Sequence, residues 1–200
     1  LDFLEQCLNL INKGEKPESL KKKFDKSLIK NSGLLSLKPK IIVCNVDEKS
    51  LPQGNKYSDA CKRTFPQENI IVVCADIENQ IMSLQEKDRK VFMLDSEIKK
   101  TGLDTLIKTG YNILGLNTFF TLTLKETRAW TIEKNSKAVD AAGVIHTDFK
   151  KKFIRAETVS HEDFINYKGF NECKNVGKLR LEGKDYIVKD GDVMFFRTGA

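Results

Sequence analysis

Two short runs rich in β-branched residues, Ile41-Ile42-Val43-Cys44 and Ile70-Ile71-Val72-Val73-Cys74, constrain the fold of this chain more than any other feature. Strands with one wet face alternate apolar and polar residues, whereas strands of a parallel sheet covered on both faces read as continuous apolar runs. Both runs are of the second kind. The stretch between them is long enough for the crossover that parallel neighbours require, and Tyr57 to Phe65 is the predicted crossover helix. Each run ends in polar residues: Asn45-Val46-Asp47-Glu48 after the first, Ala75-Asp76 after Cys74 in the second. Open α/β sheets bind their ligands outside the carboxyl ends of such strands. The residues that follow the two runs, from Asn45 to Glu48 and from Cys74 to Asp76, therefore stand where a ligand would be bound. Two strands do not make a doubly wound domain, so the sheet is expected to have further members outside this chain.

Around this segment the texture changes twice. Leu1, Leu4, Leu8 and Ile11 recur at spacings of three and four, which predicts an amphipathic helix from Leu1 to Asn12, stopped by Gly14. A second helical stretch, Ser19 to Lys30, carries Leu20, Phe24 and Leu28. Together they predict a helical hairpin or coiled-coil end over residues 1–36. Residues 37–116 read as strand, helix, strand, helix. The last helix starts after Gly102, with Leu103, Leu106, Ile107, Tyr111 and Leu114 on one face. Residues 117–200 read as short strands with tight turns. Two are expected between Thr121 and Ile132, one after a turn at Gly143 (Val144-Ile145-His146), then Ile154 to Val159, Lys184 to Val188 and Asp192 to Phe196. Ser160 is expected to cap a short helix with acids in its first turn. A small mixed sheet with a helix across it, of β-grasp type, accommodates these elements. The fold class is thus α/β followed by α+β.

Forty per cent apolar residues suffice for a real core, and no apolar run approaches the roughly 20 residues needed to span a bilayer. The first residues carry Asp2 and Glu5 where a signal peptide would be basic, so no targeting segment and no membrane partner are expected. Five cysteines form no C-x-x-C pair, which argues against a zinc site or a disulfide framework and for a cytoplasmic, reducing location. The net charge of +6 is diffuse: residues 1–36, 37–116 and 117–200 carry +2, +1 and +3. Two lysine triplets stand out. Lys150, Lys151 and Lys152, close to Arg155, are the candidate contacts to phosphates. Such contacts give affinity without sequence specificity, and no recognition of DNA sequence is expected.

The strings Arg128-Ala129-Trp130-Thr131-Ile132, Ala142-Gly143-Val144-Ile145-His146-Thr147-Asp148-Phe149, Phe153-Ile154-Arg155-Ala156-Glu157 and the run from Gly177 to Met194 resemble the C-terminal half of the YchF, or Obg-like ATPase, family. The last 85 or so residues are similar to that family's TGS domain. Asn45-Val46-Asp47-Glu48 is similar to its N-x-x-E form of the base-specificity loop. The resemblance implies a translation-associated P-loop nucleotidase that binds and hydrolyses ATP, in some members GTP, with Mg²⁺, and that associates with ribosomes or ribosomal RNA. In these terms residues 1–36 are the end of a helical insertion, 37–116 the C-terminal part of the nucleotide-binding domain and 117–200 the TGS domain. No G-x-x-x-x-G-K-[ST] occurs in the chain, so phosphate cradle, Lys and Mg²⁺ ligand are missing from it. The resemblance therefore implies a fragment that is inactive alone, the rest of the nucleotide domain lying upstream. A stand-alone TGS-type module that binds RNA or protein without chemistry is the alternative. It would have no use for two unpartnered parallel strands.

In the usual GTPase loop, N-K-x-D, the Lys stem covers the purine and the Asp accepts two hydrogen bonds from guanine. Here Val46 stands for the Lys and Glu48 for the Asp. The longer Glu48 displaces its carboxylate and weakens the test for guanine, so adenine becomes acceptable. Val46 would offer a backbone contact, and Cys74-Ala75-Asp76 would line the other side of the base. His146 and Asp148, two apart, would share a strand face, yet no nucleophile accompanies them. His161 reads as solvated and Trp130 as a core residue. Cys44 and Cys74 read as buried small hydrophobes, and Glu78, Glu86 and Asp88 as a charged helix without metal-ligand spacing.

Overall fold

The computed structural model describes residues 1–96, 98–123 and 126–199, and the chain divides into two compact units, Leu1–Leu106 and Ile107–Ala200. The division falls inside a helix, ahead of the change of texture at 116. The helical segment 1–36 belongs to the same unit as the strands that follow, and Lys40 ion-pairs both Glu18 (4.0 Å) and Glu68 (3.2 Å).

In the first unit helix α1, Asp2–Asn12, ends at Gly14, whose φ of +74° is the left-handed conformation that glycine adopts without strain. Its buried side is not the predicted one. Leu1, Leu4, Leu8 and Ile11 are exposed, and the parallel stripe of Phe3, Cys7 and Leu10 packs on Leu20 and Leu37, with Phe24 edge-on to Phe3 at 5.0 Å. Both stripes satisfy the helical period. The aromatic one is where the returning chain docks. The predicted helix over 19–30 is broken: a 3₁₀ turn at Pro17–Lys22 precedes α2, Lys26–Asn31. Asp25 is extended between them and its carboxylate accepts from the Ser27 N–H at 2.7 Å, so capping outcompetes continuation.

Strands β1, Ile41–Asn45, and β2, Asn69–Val73, pair in parallel, Ile41 opposite Asn69 and Asn45 opposite Val73. The crossover is α3, Lys56–Thr64, held at its start by a reciprocal cap between Asn55 and Ser58. Gly54 makes this cap possible, since a Cβ there would overlap the Ser58 Oγ. The strands are not covered on both faces: Ile71 is buried, but Val43 is 45% exposed. Helices α4, Ala75–Ser83, and α5, Glu86–Asp95, enclose Cys74, Ile77 and Ile81 with Phe92 and Met93. Helix α6, Gly102–Leu114, spans the division, with Leu103, Ile107 and Leu114 of its predicted apolar face exposed.

The second unit is a five-stranded mixed sheet in the order β4-β3-β7-β5-β6. Its strands are β3 (Leu116–Leu122), β4 (Thr127–Glu133), β5 (Phe153–Ser160), β6 (Arg180–Glu182) and β7 (Asp192–Thr198). The β3 and β7 pair is parallel and the other neighbours are antiparallel. Of the two strands expected between Thr121 and Ile132, β4 lies there, whereas β3 starts earlier, at Leu116, and only its last two residues fall in that range; residues 124 and 125, between the strands, are outside the described residues. Helix α7, Ala138–Ile145, sets Ala138, Ala141 and Ala142 into a core of Phe119, Ala156, Met194 and Phe196. A second cluster joins Val159 and Val193 to Phe164 and Phe170, which belong to α9 (His161–Asn166) and α10 (Phe170–Asn175). Ser160 caps α9 as predicted, accepting from the Asp163 N–H.

Two predicted strands are absent. The turn at Gly143 and the strand after it are replaced by α7, which runs through Gly143, and by α8, Thr147–Lys151. The bare Cα of Gly143 admits the Lys150 stem: a Cβ would lie 3.1 Å from its Cδ. Lys184 to Val188 forms only one bridge, Lys137 to Ile187. Its backbone bonds instead to the entry of α7, the Ala138 N–H donating to the Tyr186 carbonyl at 2.8 Å and the Val188 N–H to the Ser136 carbonyl at 3.0 Å, and side chains pin it further. Asp192, 2% exposed, accepts from the Tyr186 hydroxyl (2.7 Å), the Lys189 N–H (2.9 Å) and Arg180 Nη2 (3.1 Å).

Burial first, and then Asp192 beside it, push the Tyr186 hydroxyl up to about 12. An acid whose folded value is raised stabilises the fold while neutral. That stabilisation is complete below the ordinary tyrosine value of about 10 and is lost as pH rises through 12. We expect urea unfolding followed by Trp130, the single tryptophan and a residue of this unit, to show stability falling between about pH 10 and 12, with a shallower fall in Tyr186→Phe. Asp192→Ala is expected to cost about 2–4 kcal/mol at neutral pH, because it leaves buried donors unpaired.

Candidate functional site

The carboxyl ends of β1 and β2 are joined by more than the strand ladder. The Val46 N–H continues it, donating to the Val73 carbonyl at 2.8 Å, and the Val46 side chain is buried. Asn45 then reaches sideways: its Oδ1 accepts from the Ala75 N–H at 3.0 Å. That N–H is at the first turn of α4, where backbone donors lack partners inside the helix. The Asn45 side chain thus caps α4 from another strand, and its Nδ2 makes no hydrogen bond among the described residues. Asp47 turns the chain by accepting from the N–H and Oγ of Ser50, starting a 3₁₀ turn at Glu48–Ser50. Glu48 projects from that turn, exposed, and its Oε1 accepts from Gln80 Nε2 at 3.1 Å.

Asn45, Val46, Glu48 and Ala75 are therefore brought together at one edge of the unit. Asp76 is exposed in the first turn of α4 beside them. Cys74 is different: its side chain is 1% exposed and packs on Ile77 and Ile81, so only its backbone borders the site. Cys44 is half-buried; burial, followed by the neighbouring Cys61 thiol, raises its pKa. A cavity of about 740 Å³ behind the end of β2 is lined by Leu51, Val72, Val73, Met93 and Ile98 among others, and neither Asn45 nor Glu48 borders it. The polar groups lie on the open strand ends and not in that apolar hollow.

The roles of three contributors went unread in the sequence. Gln80 lies 32 residues beyond Glu48, and nothing local marks it. Asp47 is the cap of a turn too short to show a period. Glu78 accepts from the Gly102 and Leu103 N–H groups, so it caps α6 from α4. Gly102 fits there because a Cβ would sit 2.6 Å from Val73 Cγ1. Among the described residues no three His, Cys, Asp or Glu side chains stand together as a metal site would require.

In the second unit Lys150, Lys151 and Lys152 lie at the carboxyl end of α8, where cations complement the helix dipole. Lys150 is committed to Asp140 at 2.8 Å. Lys151, Lys152 and Arg155 are exposed and make no ion pair among the described residues. Arg155 stands opposite Arg197 in the sheet. His146 and Asp148 do not share a strand face: His146 caps α8, its Nδ1 accepting from the Asp148 N–H at 3.2 Å. Trp130 is half-buried and donates to Thr121 Oγ1. His161 is exposed, its ring 5.8 Å from that of Phe120.

Removing the Asn45 amide should free the first turn of α4. In Asn45→Ala we expect the Ala75 amide to exchange with solvent about tenfold faster than in the parent chain, the equivalent of a net hydrogen bond of about 1.4 kcal/mol, with amides of the second unit unchanged.

Residues 116–199 match the family model YchF-GTPase_C, described as "Protein of unknown function (DUF933)". Among characterised relatives, the chain is 44% identical over 200 residues to a protein of Haemophilus ducreyi named ribosome-binding ATPase YchF, covering 98% of this chain and 55% of that one. The protein of the same name in Bacillus subtilis is 46% identical over 174 residues, 85% of this chain and 48% of that one. The solved structure of the Schizosaccharomyces pombe YchF GTPase superposes with a TM-score of 0.79 at 32% identity, covering 98% of this chain and 53% of that one. The chain thus spans about half the length of the relatives it matches. Likeness in sequence and likeness in fold, both extending over almost all its residues, place it in one group: the chain belongs to the YchF family.

Proposed function

We propose that these 200 residues are the C-terminal part of a nucleoside triphosphatase that engages ribosomes, and that Asn45, Val46 and Glu48, facing Ala75 and Asp76, read its purine base. The observation that carries this reading is the cross-strand cap from Asn45 to Ala75. It fixes an amide with free donors and a carboxylate at neighbouring points on the carboxyl edge of two parallel strands. A purine edge fits that donor set: Asn45 Nδ2 suits a ring nitrogen, and the Val46 carbonyl and a Glu48 oxygen suit an exocyclic amine. The Val46 N–H is committed to Val73, so a backbone contact from Val46 falls to its carbonyl. The phosphate loop and the Mg²⁺ ligands lie, on this reading, in residues preceding Leu1. ATP is favoured over GTP because Glu48 replaces the shorter acid that tests for guanine. The names of the bacterial relatives, ribosome-binding ATPases, agree with this.

The second unit is read as a TGS domain of β-grasp form. The order β4-β3-β7-β5-β6, with its first and last strands parallel at the centre and α7 across one face, supports it. Its proposed role is docking on ribosomal RNA through Lys151, Lys152 and Arg155, in the cytoplasm where ribosomes work. Lys150 acts there as a brace, through Asp140.

Two experiments test these roles. Alone, the chain is expected to release no phosphate from ATP or GTP, whereas the full-length polypeptide turns over. In the latter, Asn45→Ala weakens both nucleotides about tenfold and the pair Val46→Lys with Glu48→Asp shifts preference toward GTP, read by competition titration. Turnover that repurifies with the 200-residue chain, or a ratio unmoved in the double variant, overturns the reading. For the second unit, full-length protein carrying Lys151→Glu, Lys152→Glu and Arg155→Glu should co-sediment with ribosomes more weakly. Its salt slope should fall by about one unit for each phosphate that is no longer neutralised. Equal binding at every salt concentration places docking elsewhere.

A further inference from the structure

The hydrogen bond between Gln80 and Glu48 goes beyond what the N-x-x-E loop explains. Gln80 is exposed on α4, at the margin of the side that buries Ile77 and Ile81, and it is not a member of the core cluster those residues form. Its Nε2 is nevertheless 3.1 Å from Glu48 Oε1, on a separate loop. A carboxylate tests for guanine by presenting both oxygens side by side to the N1–H and the exocyclic amine. With Oε1 held by Gln80, only Oε2 has no hydrogen bond among the described residues. Oε1 keeps a second lone pair, but the Gln80 bond fixes the rotation of the carboxylate, so a single exocyclic amine, as on adenine, is met through Oε2 and side-by-side pairing with the two guanine donors is weakened. A site that leaves a polar group of one ligand unpaired discriminates strongly against it.

We infer that Gln80 is a positioning residue that sets purine preference: it takes one Glu48 oxygen out of the base-reading plane and biases the site toward adenine. The inference rests on the proposed base-reading role of Asn45 and Glu48. Because α4 is also the helix that Asn45 caps through Ala75, the donor for Glu48 and the anchor of Asn45 move as one body.

The test is the ratio of ATP to GTP dissociation constants in the full-length protein, which cancels changes common to both nucleotides. Gln80→Leu removes the donor at similar volume on a solvent-facing helix position, and should move the ratio at least threefold toward GTP. Gln80→Lys keeps a donor for Glu48 and should hold the ratio at the parent value. In a Glu48→Ala background, Gln80→Leu should leave the ratio where Glu48→Ala alone puts it. Thermal melts establish that each variant is folded. A ratio unmoved in Gln80→Leu, with Asn45→Ala still weakening both nucleotides, overturns the role of Gln80 and leaves the base-reading site standing. Asn45→Ala binding both nucleotides like the parent overturns the site and this inference with it.

Discussion

One hydrogen bond, from the Ala75 N–H to Asn45 Oδ1, governs the arrangement of the first unit's functional edge. Parallel pairing brings the strand ends level but does not dictate where the loops beyond them go. Asn45 does so, because its side chain is short enough to be rigid and polar enough to satisfy an unpaired donor at a helix start. From that point the geometry propagates outward. Ala75 starts α4, α4 carries Glu78 and Gln80, Glu78 caps α6 and Gln80 meets Glu48. A set of polar residues far apart in sequence acquires a common frame from a single side-chain cap.

The second unit solves a different problem. The stretch 183–191 contains strand-like residues but lacks a strand partner, and its backbone is held in part by the buried Asp192 carboxylate. A buried acid with three donors around it is satisfied, while the same acid with one donor removed is costly, so the network is cooperative in the literal sense. Arg180 adds a second function, stacking over the Tyr186 ring at 5.3 Å while reaching Glu182 at 3.5 Å. Edge strand β6, three residues long, pairs with β5, and Arg180 extends its hold to β7 through Asp192.

Much of the layout was legible because burial leaves a mark on composition. The parallel strands, their crossover helix, the Ser160 cap and the strands over Thr127–Glu133 and Phe153–Ser160 were readable from runs, spacing and caps, while the start of β3 at Leu116 was not. The failures have distinct physical causes. On α1 two stripes obeyed the same period, and periodicity alone does not say which one the rest of the chain will meet. At Gly143 a residue typical of turns was needed inside a helix so that Lys150 could lie against it. At 184–188 the backbone pairs with the turn that leads into α7 and not with a strand, and side chains on both flanks complete its anchoring. For the candidate site, the loop residues Asn45 and Glu48 stand out by position and chemistry, whereas Gln80 and Glu78 owe their places to helix packing, which no local pattern encodes.

The order β4-β3-β7-β5-β6 puts the strand that comes last in the chain between those that come first and third. Ribosomes deliver polypeptide from the amino end, so β3 with β4, and β5 with β6, emerge as two pieces with no strand between them, α7 being the element that packs on both. The core that holds Phe119 and Ala156 is completed when Met194 and Phe196 arrive. Non-local closure of this kind is slow relative to local pairing, and pieces with open strand edges are vulnerable while they wait. A chain that stops before residue 192 therefore lacks the one strand through which β3 and β5 belong to a single sheet.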